Sequence, residues 1–264
     1  MIDILLYIGA LLIGLILGLI GGGGSILTVP ILHYIAGIPT VLSTAYSLFV
    51  VGSTAGFGAF KAFKRGHVSI PTAILFVIPS SIATNLTRQF IIPNILETIL
   101  EAPIHITKDS GMILFFGLLM LIISINMLKK KKQHQRPQPE IKYNYPLMIG
   151  VGLSVGLLAG LVGAGGGFLI VPALVLWANL PVKLAIGTSL SIISVQSMVG
   201  FLGDLQTQTI DWPFLIPFAL VAIVGILIGS HLSKNITGKK IRKLFGTFVL
   251  IMAIIILTIE IVNL

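Results

Sequence analysis

The chain contains no cysteine, which excludes disulfides, thiolate metal sites and cysteine nucleophiles together. Charge is nearly as scarce: 9% of residues are Asp, Glu, Lys or Arg, against 56% hydrophobic side chains and a mean hydropathy of +1.07. A 264-residue chain so poor in charge cannot coat a soluble globule, so an integral membrane protein is expected. Acidic residues avoid the middle of every apolar run. Asp3, Asp204, Asp211 and Glu260 stand at run ends, and Glu97, Glu101, Asp109 and Glu140 lie in connections. A pump built on a buried carboxylate relay is therefore not expected. His33 and His231 read as interfacial histidines. No nucleophile with a base and no His-Glu-x-x-His pattern occurs, which argues against a membrane enzyme. No cofactor or metal is expected.

What the chain does have is glycine, and it is duplicated. Gly18-Leu-Ile-Gly-Gly-Gly-Gly-Ser-Ile-Leu-Thr-Val-Pro-Ile-Leu32 returns 142 residues later as Gly160-Leu-Val-Gly-Ala-Gly-Gly-Gly-Phe-Leu-Ile-Val-Pro-Ala-Leu174. The offset persists beyond the glycines, pairing Pro39 with Pro181, Ser47 with Ser189, Gly58 with Gly200 and Pro71 with Pro213. Ten apolar runs divide five and five, so the expected organisation is a first membrane half at 1–128, a basic linker at 129–145 and a second half at 146–264. Met1-Ile-Asp3 lacks a positive n-region, and the first run is expected to be a retained membrane helix.

The second run of each half is too short to cross a bilayer of about 30 Å. If each glycine break is only a kink, the 17 Lys and Arg residues divide almost evenly across the membrane. If each break is a hairpin returning to its own side, every one except Arg88 and Lys108 falls on a single face. The positive-inside rule selects the hairpins. Both termini are then outside, the linker is cytoplasmic, and the odd number of elements per half makes the second half an inverted copy of the first. The expected fold is thus an all-α membrane protein, its Gly-broken hairpins meeting near the bilayer midplane. The basic clusters serve topology, and no nucleic-acid partner is expected.

At each tip, exposed backbone N–H groups and the N-terminus of the following short helix favour an anion. Gly22, Gly23, Gly24 and Ser25 form the first tip, and Gly165, Gly166 and Gly167 the second. Pro30 and Pro172 read as first-turn residues of the short helices, with Ser25 or Thr28 capping the first. The next helices add Ser47, Thr188, Ser189 and Gln196, the last two sharing a face at a spacing of seven. Asn85 and Arg88 mark a possible outer vestibule.

The phrase Gly160 to Pro172, with Gly187-Thr-Ser-Leu190 and Ile210-Asp-Trp-Pro213, resembles the TauE/SafE sulfite exporter family of bacterial membrane permeases, and both halves take part. The first half departs from the family pattern at Thr44-Ala-Tyr-Ser-Leu48 and in the long connection from Gln89 to Ser110. The resemblance implies a multi-pass plasma-membrane transporter of sulfite, a related sulfur oxyanion or an organosulfonate, working by alternating access with H+ or Na+ as a possible coupling ion. An anion channel and a carboxylate permease are the alternatives, with a membrane enzyme more distant.

Overall fold

The computed structural model describes residues 2–95, 98–100, 106–129, 145–163, 166–176, 178, 180–233 and 236–263. The linker and Gly165 fall almost wholly or wholly outside them. The first half comprises α1 (Ile2–Ile20), α2 (Gly24–Pro30) continued by a π turn at Ile31–Ile35, α3 (Thr40–Lys64), α4 (Ile70–Leu86) and α5 (Lys108–Leu128). The second comprises α6 (Tyr145–Val162), α7 (Gly167–Leu176), α8 (Val182–Asp204), α9 (Trp212–Leu232) and α10 (Gly238–Asn263). Two short antiparallel strands, β1 (Thr98–Leu100) and β2 (Ile106–Thr107), lie in the connection before α5. Helical turns carry α4 on to Asn94, so part of the connection expected from Gln89 to Ser110 is a continuation of that span. Among the described residues, five helices, built on α3, α4, α5, α8 and α9, are long and apolar enough to cross a membrane.

The amphipathicity is reversed from that of a soluble protein. On α4, Ile70, Ile74, Ile78, Ile82 and Leu86 form an exposed stripe, while Thr72, Ser80, Ser81, Thr84, Thr87 and Arg88 are buried. Apolar residues outward and hydroxyls inward is the pattern of a helix solvated by lipid around a polar interior. At the other end of the same logic, α9 starts from a polar cap. Asp211 accepts from the Phe214 N–H at 3.2 Å and Pro213 sits in the first turn.

Glycines set the helix packing. On α1, a Cβ at Gly14 would strike the Ala222 backbone and one at Gly18 the Ile226 carbonyl, while Gly225 and Gly229 of α9 meet Leu11 and Leu15. This reciprocal small-x-x-x-small contact brings two backbones together where no hydrophobic drive separates protein from lipid. The same contact recurs between α6 and α4, with Gly156 on Ser80 and Gly160 on Thr84 and Thr87. At the centre α3 crosses α8, with Gly52 on Met198, Gly56 on Ser194 and Gly58 on Leu190. Adding or subtracting 142 converts several of these contacts into one another: Gly14 with Ala222 becomes Gly156 with Ser80, and Gly58 with Leu190 becomes Gly200 with Leu48.

These registers also give directions. Residue numbers rise together along α1 and α9, along α4 and α6, and along α4 and α8, where Asn85 meets Val199 and Arg88 meets Gly203. They rise together along α3 and α9, where Tyr46 meets Asp211 and Gly58 meets Ile226, and oppositely along α3 and α8. Helices α1, α3 and α9 therefore run one way and their counterparts α6, α8 and α4 the other.

Candidate functional site

Each glycine phrase reverses the chain. Helix α1 ends at Ile20, Gly21 takes φ +80°, and α2 returns along α1 so that Gly24 lies on Ile13 and Leu17 and Ile31 lies on Gly9. In the second copy Gly163 takes φ +68° and Gly166 φ +63°. Such backbone geometry is open to glycine and strained for other residues. The tips are held by the opposite halves. Gly21 packs on Ile186 of α8, and the Ser189 hydroxyl donates to the Gly21 carbonyl at 2.8 Å. Gly163 packs on Thr44 of α3, the counterpart of Ile186. The tips also touch each other, for a Cβ at Gly22 would strike the Gly167 carbonyl.

Beside this contact lies a set of buried polar groups that no hydrogen bond satisfies among the described residues: Ser47 Oγ, Thr54 Oγ1, Ser81 Oγ, Ser197 Oγ and both amide atoms of Gln196. A Cβ at Gly166 would stand 3.2 Å from Gln196 Nε2, so the amide faces the second tip. Thr54 is the residue equivalent to Gln196 under the 142-residue offset, and the antiparallel register of α3 and α8 places the two at one level. The parallel register of α4 and α8 puts Ser81 there too. At the start of α7 the N–H groups of Leu169 and Ile170 donate to the Gly166 carbonyl at 2.9 Å, which leaves Gly167 and Phe168 as the first-turn donors with no intrahelical bond. Partnerless buried donors are expensive, and among these groups the Gln196 amide stands against the second tip. Chemically, the arrangement offers many partial positive charges and no fixed cation.

A small cavity of about 80 Å3 lies beyond the first tip, towards the end of the bundle where α3 terminates. Lys61, Arg65, His67 and Lys183 are among the described residues that line it, and Ile186 separates it from Gly21. The larger space, about 920 Å3 between α5 and α6, is walled chiefly by apolar side chains and by none of the tip glycines.

The structure redistributes several of the expected site residues. Ser25 does not cap α2: its hydroxyl donates to the Gly22 carbonyl at 2.8 Å, and Thr28 donates to the Gly24 carbonyl at 3.3 Å. Gly22 and Gly24 are positions of close backbone approach, and Gly23 is helical at φ −72°. Pro30 ends α2 and Pro172 is the sixth residue of α7, not first-turn residues, because both helices begin at the glycines themselves. Thr188 accepts from the Ser69 N–H at 2.9 Å and so pins the connection between α3 and α4, away from the tips. Asn85 donates to the Val199 carbonyl, and Arg88 is buried, not exposed in a vestibule, with Nη2 3.4 Å from Asp204 Oδ2. Thr54, Ser81 and Ser197 are buried without a hydrogen-bond partner among the described residues, and Asp204 is buried as well. For Thr54 the signal was available, since its repeat partner is Gln196; for Asp204, position at a helix end concealed its burial.

A multi-pass helical bundle, broken by two facing hairpins around unsatisfied polar groups, defines a membrane transporter. The chain belongs to the sulfite exporter TauE/SafE family, whose model matches residues 6–256. It is 28% identical over 252 residues to a Probable membrane transporter protein of Xylella fastidiosa, covering 93% of this chain and 91% of that one. It is 26% identical over 283 residues to the Probable membrane transporter protein YunE of Bacillus subtilis, with 97% and 95% covered. A further Bacillus subtilis relative, the Probable membrane transporter protein YdhB, is 24% identical over 236 residues, covering 88% and 90%. No solved structure matches the chain.

Proposed function

We propose that the protein moves sulfite, or a related small sulfur oxyanion or organosulfonate, across the plasma membrane by alternating access around the two hairpin tips. The observation that carries this reading is Gln196: a fully buried amide without a hydrogen-bond partner among the described residues, aimed at Gly166 and the start of α7. Backbone and amide donors hold an oxyanion without the tight grip of a fixed charge, which suits binding followed by release. The family's own description supports the sulfur chemistry.

The opposed directions of equivalent helices support an inverted repeat, in which each half supplies one tip and rocks against the other. The basic residues at the ends of α3 and α9 and the start of α8 support a cytoplasmic assignment for that end of the bundle. Purified protein in liposomes should take up radiolabelled sulfite, with sulfate and taurine as competitors that define the anion class. Uptake against an opposing sulfite gradient, driven by H+ or Na+, identifies a coupled carrier. Uptake that only ever runs downhill at channel rates sinks alternating access, and absence of uptake for all three anions sinks the substrate assignment.

A further inference from the structure

Arg88 and Asp204 lie two helical turns from the level of Gln196 and Ser81, towards the end of the bundle read above as outer. Both are buried, at 1% and 2% exposure, and they meet through a single 3.4 Å contact. None of the three Arg88 guanidinium nitrogens, Nε, Nη1 or Nη2, has a hydrogen-bond partner among the described residues. A buried ion pair offsets its desolvation only when geometry is good and the remaining donors are satisfied. This pair meets neither condition, so stability does not account for it. A guanidinium with a free fork is instead shaped for two oxygens of an oxyanion.

The repeat sharpens the point. The 142-residue offset relates Asp204 to Ala62 and Arg88 to Ser230, and both of those residues line the basic cavity at the opposite end. Where one half carries an ion pair, the other carries two small side chains and open space. The two ends of the pathway are built alike and differ in what stands at this position.

We propose that Arg88 and Asp204 form the outer gate of the anion pathway, and that an incoming oxyanion opens it by replacing the Asp204 carboxylate on the Arg88 guanidinium. Asp204 is the built-in competitor of the substrate. With the pair formed, the outer end is shut; with the anion on Arg88, α8 is released from α4 and the anion is poised above the neutral donors of Ser81, Thr54 and Gln196. This rests on the anion-transport reading, and its test has an arm that needs no anion.

In this cysteine-free chain, Ser81→Cys supplies a single buried thiol below the gate. Without added anion, Asp204→Asn should raise its labelling by an impermeant reagent from outside at least tenfold. In the binding arm, the same variant should hold radiolabelled sulfite at least threefold more tightly, since the competitor is gone. The double variant Arg88→Met with Asp204→Leu replaces the pair by apolar packing. It should stay monodisperse and label as slowly as the parent, yet lose at least tenfold in sulfite uptake from outside. Unchanged labelling in Asp204→Asn, or parental uptake in the double variant, overturns the gate and leaves the pair a structural anchor. Should Asp204→Asn not fold, uptake by the double variant decides alone. A parent that takes up no sulfite refutes the substrate assignment, and the labelling arm still judges the gate.

Discussion

Gln196 concentrates the argument at the scale of single residues. Its side chain is removed from water without a partner among the described residues, a debit of about 1–3 kcal/mol for an unsatisfied buried group. Replacing it by leucine deletes that debit. Gln196→Leu should therefore hold or raise thermal stability while lowering sulfite affinity about tenfold, the equivalent of one good hydrogen bond. A structural glutamine would move both quantities down together, so the opposed signs are the diagnostic. Gln196→Glu adds a formal negative charge beside the anion and should bind clearly worse than the leucine variant at a pH where the carboxyl is ionised. Equal affinities, or a tighter glutamate variant, would place Gln196 away from the substrate or put a cation there with it. The sequence pointed to Gln196 because a mid-span amide needs partners. It could not separate Ser189 from Thr188, which point to opposite tasks: one hydroxyl holds a hairpin tip and the other a loop.

At the scale of elements, the two hairpins explain what was legible and what was not. Their existence followed from the duplicated glycines and the distribution of Lys and Arg, both properties of the whole pattern. Their starting points did not, because proline is commonest in the first turn. Here Pro172 stands deeper in α7, where its missing N–H gives up a helical bond. Tip glycines also divide into kinds that composition does not distinguish. Gly18 and Gly160 serve helix packing, Gly21 and Gly163 supply positive φ, and Gly22 lets the tips meet. Gly22→Val would drive a branched side chain into the Gly167 carbonyl and Val171, and should abolish sulfite flux. Gly66 is the control: it also has positive φ, at +69°, but a Cβ there meets nothing within 4 Å. Gly66→Ala should cost about 1 kcal/mol of stability and leave flux at the parental level. If monodisperse Gly22→Val protein transported normally, the meeting of the tips would be incidental to function.

For the whole molecule, the decisive question is which segments share a side of the membrane. Helix α6 runs with α4, which starts where α3 ends, so α6 starts at that same end of the bundle. Helix α9 runs with α3 and finishes there too, and α10 then leaves it, antiparallel to α5 through Gly117 on Leu257 and Gly246 on Leu128. The start of α6 and the last residues of α10 are thus at opposite ends, and this follows from α2 being a return arm and not a continuation of α1. The positive-inside rule predicts that the end at which α6 starts is cytoplasmic. The absence of native cysteine lets single introduced thiols test it in intact cells. A cysteine at Gln208, in the connection between α8 and α9, should react with an impermeant reagent from outside, while one at Gln135 in the linker or at Gly238 should react only after the membrane is breached. A cysteine added after Leu264 should behave like Gln208. Labelling of Gln135 and that terminal cysteine from different sides is the expected outcome; labelling from one side would turn both hairpins into kinks and overturn the proposed inverted repeat and the alternating access proposed with it.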